Sequence, residues 1–398
     1  MGGLFSDMQA TEDARELRRK WQAQAAAHGS TPPLVSPEAD QGAGIHALFM
    51  EPVQVVPHRD GTYLVAYAGK HHCDFPDEPN PYEVRARDAY EFLLEAAGGA
   101  QHPRIVKYLG SLTPGFKLEF VTPGSLEGMR LPVLSPVPLP DNGSPPPLLL
   151  RLYYRWALQT LGALRFLHSH AVYLSNFCDC SVWIRADFSA AVTSFICATV
   201  PSDEEPTFLS GGCRANNMYL DFLLDVEAEY DPGTGEQLLA SPRGDIYDWA
   251  TLFWLLLTNG FAVDRPPRPR VKWPMLFPED PATNEGWPAW WNEREERRLL
   301  SERRFHQLEE ARMGGILVKA WSGEYKGVDE VIWDLHAFLE KKGVEILGED
   351  EILPANGECS SWEDVLITVP PGEIRFRERG GLDSTARTTP LYPGAKTQ

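Results

Sequence analysis

RWALQTLGALRFLHSHAV, residues 155–172, is the stretch of sequence from which the fold prediction starts. It overlaps a longer segment, residues 148–168, in which most positions are apolar or aromatic. A helix with a solvent-facing side carries apolar residues on one stripe only, so this composition predicts a helix that is buried nearly all round. We therefore expect the second half of the molecule to be mainly helical and to pack around this segment.

The segments that follow predict short strands and further helices. Residues 172–195 resemble short strands, whereas residues 246–257, IYDWATLFWLLL, predict a second deeply buried helix. Residues 293–312 carry twelve charges in twenty positions, which predicts an exposed helix with ion pairs between residues four apart. Residues 316–320 and 328–341 complete the helical part. The last segment, 343–398, contains one possible hairpin, at 364–377, and ends in a polar tail that we expect to be disordered.

The chain before the long helix has a different pattern. Two strands, a helix that ends at a pair of glycines, and two more strands are predicted at 53–56, 63–67, 82–97, 105–109 and 117–121. Residues 1–44 form an extension in which 11–27 are helix formers. Residues 131–147 hold seven prolines, a density that excludes helix and central strand. They form either an exposed insert or a polyproline II ligand for an SH3 or WW module.

Composition and charge limit the possible classes of function. The chain has 398 residues, of which 43% are hydrophobic and 23% charged, as is ordinary for a globular protein. Its net charge of −19 makes nucleic acid a poor partner. The longest apolar run, 249–257, is too short to cross a bilayer, and the N-terminal residues lack the continuous apolar segment that a secretory signal contains. We therefore expect a soluble protein of the cytoplasm or nucleus, with neither a nucleic acid nor a membrane as partner.

The six cysteines, at positions 73, 178, 180, 197, 213 and 359, form no CxxC pair. Neither a zinc ribbon nor a thioredoxin-type motif is therefore supported, and buried free thiols are favoured. Cys178 and Cys180 are the closest pair. His71, His72 and Cys73 could ligate a metal, but no second ligand cluster with suitable spacing follows, which favours a polar turn.

Several segments, taken in order, resemble the eukaryotic protein-kinase fold, and the degenerate kinase-like proteins of filamentous fungi in particular. They are residues 102–110 (HPRIVKYLG), 118–126 (LEFVTPGSL), 155–172, 245–250 (DIYDWA) and 319–326 (KAWSGEYK). The resemblance implies an α+β, two-lobed fold, in which a small antiparallel sheet and one helix form the N-lobe and the C-lobe is mainly helical. The implied divisions are an extension (1–44), an N-lobe (45–121), a hinge and Pro-rich insert (122–147), a C-lobe (148–342) and a C-terminal extension (343–398).

The resemblance also assigns the positions of a phosphotransfer site, and neutral residues occupy them. Aligned through the long helix, the catalytic aspartate falls on Asn176, the metal-binding asparagine on Ser181 and the metal-binding aspartate on Ser194. The strand-3 lysine falls on Ala68. An asparagine cannot accept a proton as a carboxylate does, and a neutral hydroxyl holds Mg²⁺ poorly. The resemblance therefore implies a catalytically degenerate domain, a pseudokinase that needs no cofactor and serves as a protein-binding or scaffolding module.

A vestigial nucleotide pocket is implied between the lobes. Its lining would be Ala66, Trp183 and four residues of the strand that leads into the hinge, Leu118, Glu119, Phe120 and Val121. Trp183 stands where kinases place a small aliphatic side chain beneath the adenine, so we hypothesise that the larger indole fills this slot opposite Ala66. The alternative is a core tryptophan that points elsewhere. Asp245 matches an aspartate that is structural in kinases and anchors backbone amides of the catalytic loop.

Two other hypotheses stay open. An active protein kinase that transfers phosphate from ATP with Mg²⁺ to serine or threonine would have to use Asp179, Asp187 or Lys70 in place of the missing groups. For Asp179 a surface carboxylate is the simpler interpretation, for Asp187 a turn between strands, and for Glu91, the candidate glutamate of the N-lobe helix, a solvated helix face. A helical interaction domain with accidental motif matches is the third hypothesis. The partner protein is not identified by the sequence, and candidate contact surfaces are 131–147, the N-terminal helix and the tryptophans of 286–291.

Overall fold

The computed structural model is a mixed α+β structure. It describes residues 53–58, 61–68, 81–112, 115–134, 146–201, 241–259, 308–354, 361–369 and 372–377. Within these ranges it contains five α-helices and small antiparallel sheets, so the predicted α+β class is confirmed. None of the helices in these ranges is long and apolar enough to cross a membrane.

A four-stranded antiparallel sheet forms the first part of the structure. Its strands are β1 (Val53–Pro57), β2 (Tyr63–Ala68), β3 (Tyr108–Ser111) and β4 (Phe116–Glu119), in the order β1-β2-β4-β3. Helix α1 (Pro81–Ala96) packs against β2 and β3. It ends at Gly98 and Gly99, whose positive φ angles suit residues without a Cβ, as the glycine pair predicts.

The prediction of a strand at 105–109 is wrong in its position. Strand β3 begins only at Tyr108, whereas Ile105 forms an isolated parallel bridge with Val192. The amide of Val106 also donates a hydrogen bond of 2.9 Å to the carbonyl of Val192. The apolar pattern could not separate the two arrangements, because Ile105 is buried either way and periodicity reports burial only.

A second antiparallel sheet connects the first part to the helices. It consists of β5 (Gly124–Ser125), β6 (Val182–Ile184) and β7 (Ala190–Val192), in the order β5-β6-β7, and its strand residues are all buried. The turn between β6 and β7 closes with a hydrogen bond of 2.9 Å from the amide of Arg185 to the carbonyl of Ser189. Both faces of this sheet are therefore covered by other parts of the chain.

Four of the helices form the second part. They are α2 (Leu148–Ser169), α3 (Pro242–Leu257), α4 (Gly314–Trp321) and α5 (Val328–Lys341). The predicted burial of α2 is confirmed along nearly its whole length. Helix α3 begins four residues before the predicted start, because the hydroxyl of Ser241 accepts a hydrogen bond from the amide of Gly244 and a proline follows at the first helical position.

The chain after α5 returns to both earlier parts of the structure. The predicted hairpin is confirmed as β8 (Leu366–Val369) and β9 (Glu373–Phe376). The backbone of Arg130 exchanges two hydrogen bonds with this hairpin, since its amide donates to the carbonyl of Gly372 and its carbonyl accepts from the amide of Ile374, both at 2.9 Å. The buried Trp362 indole donates to the carbonyl of Ile352 at 2.8 Å.

Ion pairs attach residues 349–351 to the same two parts. Arg104 holds Asp350 through two hydrogen bonds of 2.7 Å, and its Nη2 atom lies 3.5 Å from a carboxylate oxygen of Glu351. Arg155 of α2 holds Glu351 through hydrogen bonds of 2.5 and 3.0 Å. Because the Arg155 side chain is only 5% exposed, the carboxylate compensates a charge that is largely removed from water.

Two predictions need correction, and several lie outside the described residues. The exposed helix at 293–312 is wrong at its described end, where Glu310–Arg312 is a 3₁₀-helix and the Arg312 side chain is buried and donates to the carbonyl of Leu257. The insert at 131–147 is only partly exposed at its start, since Leu131 and Leu134 are buried whereas Val133 is exposed, and residues 135–145 lie outside the described residues. The predictions for 1–44, 286–291 and the tail from residue 380, and the position of Lys70, lie outside the described residues.

Candidate functional site

The candidate site is a loop, residues 174–181, that connects helix α2 to strand β6. Asp245, in the first turn of α3, is fully buried, and its carboxylate is hydrogen-bonded to the backbone of this loop. Its Oδ2 atom accepts a hydrogen bond of 3.0 Å from the amide of Leu174, and its Oδ1 atom accepts one of 2.9 Å from the amide of Ser175. The His168 Nε2 atom lies 2.8 Å from Oδ2. This is the contact with backbone amides that the sequence analysis expected of Asp245.

A second carboxyl group lies one helical turn further along α3. Asp248 is buried, and its Oδ2 atom accepts a hydrogen bond of 3.2 Å from the amide of Phe177. Burial, and then the neighbouring charge of Asp245, raise the pKa of Asp248 well above the usual range of an aspartate. The two carboxyl groups therefore act on the backbone of the loop, and both lie beneath it in the core.

The side chain of Ser181 closes the loop on itself. Its hydroxyl donates to the carbonyl of Asn176 at 3.1 Å and accepts from the amide of Cys178 at 3.3 Å. The carbonyl of Ser181 accepts from the amide of Thr193 at 2.9 Å, which ties the loop to the residue after β7. Asn176 and Ser181 are both buried. The hydroxyl is thus engaged by the loop's own backbone.

Ser194 lies beside this loop in a strained backbone conformation. Its φ is +67° and its ψ is +51°, a left-handed geometry that a serine adopts at a cost of about 1–3 kcal/mol. The Ser194 Oγ atom lies 4.0 Å from the Cys180 Sγ atom, and a 3₁₀-helix, Phe195–Cys197, follows directly. The structure therefore brings Asn176, Ser181 and Ser194 into one buried neighbourhood.

An aromatic cluster fixes the segment after Ser194 against helix α1. The ring of Tyr90 meets the ring of Phe195 edge-on, with centroids 4.6 Å apart, and the Tyr90 hydroxyl is hydrogen-bonded to the Thr193 hydroxyl at 2.8 Å. Burial raises the pKa of Tyr90, so this hydroxyl stays protonated. Tyr108 and Phe116 lie on the other sides of the same ring. Sequence reasoning missed Tyr90, and its only signal was its place in the apolar pattern of α1.

Trp183 occupies the centre of the second sheet. It is fully buried in β6, where it pairs with Ala191 of β7 and Ser125 of β5. It belongs to the same apolar core as Ala66 and Leu118, which are also fully buried. The proposed position opposite Ala66 stays a hypothesis, because the registers that fix Trp183 are those of the second sheet and Ala66 lies on β2 of the first.

The predicted hinge residues differ from one another in exposure. Leu118 and Val121 are buried, whereas 40% of Phe120 is exposed. The Glu119 carboxylate accepts hydrogen bonds from the amide of Lys107 at 2.9 Å and from the Arg185 guanidinium at 2.6 Å. Glu119 thus connects β4 to the turn that follows β6.

Glu91 and Ala68 are the two residues to which the kinase resemblance assigned the N-lobe ion-pair positions. Ala68 is the last residue of β2 and pairs with Val53. The Glu91 carboxylate accepts hydrogen bonds from the hydroxyls of Ser111 and Tyr108, at 2.5 and 2.6 Å, and these bonds hold its pKa below the usual range. Glu91 lies on an exposed part of α1, as predicted, whereas these two hydrogen bonds were not predicted. Its partners on β3 are 17 and 20 positions away in the sequence, so no local sequence pattern predicts these contacts.

Asp187 and Asp179, the acidic residues that the active-kinase hypothesis would use, lie in local turns of the structure. Asp187 lies in the turn between β6 and β7, as predicted, and its Oδ1 atom accepts hydrogen bonds from the amide and the hydroxyl of Ser189, at 3.0 and 2.7 Å. Although burial opposes ionisation, these bonds and the nearby arginines hold the pKa of Asp187 below its usual range. Asp179 is the first residue of a 3₁₀-helix, Asp179–Ser181, and is half-buried.

The described part of the chain contains no group of three or more His, Cys, Asp or Glu side chains that could hold a metal ion. A surface cavity of about 390 Å³ lies at the C-terminal end of α5, and its lining, which includes His336, Glu340 and Ile346, contains none of the predicted site residues. No protein-family model matches the sequence. No curated protein matches it either.

Proposed function

We propose that the chain is a two-lobed, protein-kinase-like domain that has no phosphotransfer activity and acts as a protein-binding or scaffolding module. The observation that carries the proposal is that the polar groups of the loop 174–181 are hydrogen-bonded to one another and to Asp245. Asp245 holds its backbone, and the Ser181 hydroxyl bonds to the Asn176 carbonyl. The loop is maintained as a structure, while the positions that would carry ionised groups hold neutral ones.

The order of the elements supports the two-lobed part of the proposal. A four-stranded antiparallel sheet with one helix precedes a second part built from four helices. The segment from Glu119 to Ser125 connects the two parts, as a hinge does in a kinase. The Asp245 contact with the loop after the long helix agrees with the register through which the catalytic positions were aligned.

The loss of charge supports the absence of phosphotransfer. The reaction depends on positioning a triphosphate and on neutralising its charge with Mg²⁺ and a lysine. Asn176, Ser181, Ser194 and Ala68 supply neither a carboxylate nor an ammonium at the implied positions. Asp187 does not replace them in this structure, because its carboxylate is bound within its own turn.

The decisive experiment measures nucleotide binding to the full chain by thermal shift. We expect no change in Tm at millimolar ATP with Mg²⁺, whereas a ligand present at about a hundred times its Kd would stabilise the folded state by about 2.7 kcal/mol. A clear rise in Tm, together with incorporation of labelled phosphate that is lost in Asp187→Ala, would overturn the proposal and favour the active-kinase alternative.

A matched pair of variants tests the place of Trp183 in the proposal. Trp183→Leu and Trp249→Leu each remove a fully buried indole, from β6 and from α3, and each should cost about 2–4 kcal/mol of unfolding free energy. If the Trp183 indole fills an adenine slot, only Trp183→Leu gains a rise in Tm with adenosine. If adenosine changes the Tm of both variants equally, Trp183 does not fill an adenine slot. The experiment with ATP does not depend on this result.

The binding role is supported by an exposed aromatic side chain on the helical part. Trp333 projects from α5 with 69% of its surface exposed, and exposed tryptophans are frequent anchors of protein interfaces. Trp333→Ala should therefore weaken partner binding at least about tenfold without lowering the Tm. The matched control is Leu109→Ala, which removes an exposed apolar side chain from β3. An unchanged affinity in Trp333→Ala would remove this surface from the proposal.

A further inference from the structure

Two cysteine sulfurs of the loop lie unusually close together. The Sγ atoms of Cys178 and Cys180 are 3.0 Å apart, about 1 Å more than a covalent disulfide bond of about 2.05 Å. Both cysteines are free thiols, and Asp179 alone separates them in the sequence. Little movement of either side chain is therefore needed to join the two sulfurs.

The two sulfurs differ in exposure and share polar neighbours. Cys178 is half-buried, whereas only 1% of Cys180 is exposed. The Ser181 hydroxyl lies 3.8 Å from the Cys178 sulfur, and the Ser194 hydroxyl lies 4.0 Å from the Cys180 sulfur. Of the two residues, Cys178 is therefore the one with more surface open to solvent.

We propose that Cys178 and Cys180 form a redox modification site, in which Cys178 reacts with a low-molecular-weight disulfide and Cys180 then converts the product into an intramolecular disulfide. This inference goes beyond the proposed function and does not depend on it. Its basis is the distance between the sulfurs, their unequal exposure and their position in the loop that Asp245 anchors.

The chemistry balances in two exchange steps. In the first step the Cys178 thiolate attacks one sulfur of the external disulfide, so that a mixed disulfide forms and one small thiolate leaves. In the second step Cys180 loses its proton and attacks the Cys178 sulfur, which releases the second small thiolate. The protein loses two electrons and two protons in total, and the external disulfide is reduced to two thiols.

The surroundings of Cys178 control the rate of the first step. The neighbouring Cys180 sulfur, burial and the charge of Asp179 raise the pKa of Cys178, while the Ser181 hydroxyl opposes them. The thiolate is the reactive form, so the first step should accelerate as the pH rises above neutrality. The exchange is therefore expected to be slow and selective rather than a general oxidation of surface thiols.

The test uses the full folded chain, glutathione disulfide as the reagent, and tryptic mapping after alkylation of the remaining thiols. Cleavage after Arg165 and Arg185 gives a fragment, 166–185, whose only cysteines are Cys178 and Cys180. We expect this fragment to resist alkylation at both positions, to have lost two hydrogen atoms, and to regain both thiols with dithiothreitol. The second step, in which the mixed disulfide is converted into the intramolecular disulfide, should be at least about tenfold faster in the folded chain than in the chain unfolded with guanidinium, because the fold holds the sulfurs together.

Three variants separate the roles of the cysteines. Cys180→Ser should stop at a stable mixed disulfide on Cys178, and Cys178→Ser should leave the buried Cys180 unmodified. Cys197→Ser removes a buried thiol from the 3₁₀-helix Phe195–Cys197 and should react as the wild type does. Alkylation at both positions of the treated wild type, or a mixed disulfide that persists in it as long as in Cys180→Ser, would overturn the proposal. The wild-type result decides the matter if a variant fails to fold.

Discussion

At the scale of single side chains, two aspartates of helix α3 differ in their hydrogen-bond partners, although both are buried and lie one helical turn apart. Asp245 accepts two backbone amides and contacts His168, so its carboxylate is satisfied in the core. Asp248 accepts one amide only and is close to the charge of Asp245, so its pKa is raised. The first side chain supports the loop 174–181 through its hydrogen bonds, whereas the second is favoured as a neutral acid.

Substitution of the two aspartates by asparagine should therefore have unequal effects. Asp245→Asn places an NH₂ group against a backbone amide and leaves a buried donor without an acceptor, which should cost about 2–4 kcal/mol. Asp248→Asn resembles the protonated acid and should change the unfolding free energy by less than about 1 kcal/mol. Urea unfolding followed by circular dichroism measures both, and equal losses would contradict the assigned difference.

The raised pKa of Asp248 also predicts a pH dependence. The folded chain holds this proton more firmly than the unfolded chain, so stability falls as the pH rises from the ordinary aspartate pKa of about 4 through the higher folded value. Asp248→Asn should lack this component, and its unfolding free energy should depend less on pH over that window. Parallel pH profiles for the wild type and Asp248→Asn would be the contrary result.

What the sequence predicts at this scale depends on the distance between partners. The contact of Asp245 with the loop followed from the resemblance, because both partners lie within recognisable segments. The exposure of Glu91 was predicted correctly, but its hydroxyl partners were not, because Tyr108 and Ser111 lie on a strand that packs against α1 only in the folded chain. Hydrogen bonds between distant elements leave no periodic signal in a single sequence.

At the scale of elements, the helices were predicted more accurately than the strands. Helix α5 has the predicted bounds, 328–341, because a long amphipathic period repeats several times. Strand β3 was placed three residues too early, since a strand of four residues offers too few repeats to fix its register. The turn at Gly115, directly before β4, was not predicted.

That turn depends on Gly115, whose φ is +94°. A Cβ atom at this position would lie 2.1 Å from the carbonyl oxygen of Ala66, whereas one at Gly110, whose φ is +116°, would meet nothing within 4 Å. Gly110→Ala should therefore cost only the backbone strain of about 1–3 kcal/mol, and Gly115→Ala clearly more. Thermal unfolding of the two variants is the measurement, and equal losses would mean that β2 moves away without cost.

At the scale of the whole molecule, the segment after α5 attaches to both main parts. Asp350 and Glu351 pair with Arg104, before β3, and with Arg155, on α2, and the hairpin β8–β9 pairs with Arg130. From the sequence, residues 343–398 are predicted to be an extension with one hairpin and a tail. The ion pairs of Asp350 and Glu351 could not be predicted, because charged residues in a short acidic segment are usually solvated.

The ion pairs of this segment should differ strongly in their contribution. Glu351→Gln leaves the buried Arg155 without its anion and should cost about 3–5 kcal/mol. The control is Glu349→Gln, which breaks the more exposed pair with Arg165 and should cost less than about 1 kcal/mol. Both values come from urea unfolding of the full chain. A loss in Glu351→Gln no larger than in Glu349→Gln would show that water reaches Arg155.

The span of these attachments has a consequence for the synthesis of the chain. The hydrogen bonds between Arg104 and Asp350 join residues that are 246 positions apart. The backbone of Arg130 likewise forms its hydrogen bonds with Gly372 and Ile374. A ribosome adds about 5–20 residues per second, so the first sheet emerges more than about 10 seconds before its last contacts exist. During that interval Arg104, Arg130 and Arg155 have no native partner from this segment, and the nascent domain reaches its full stability only after residues 350–374 have been synthesised.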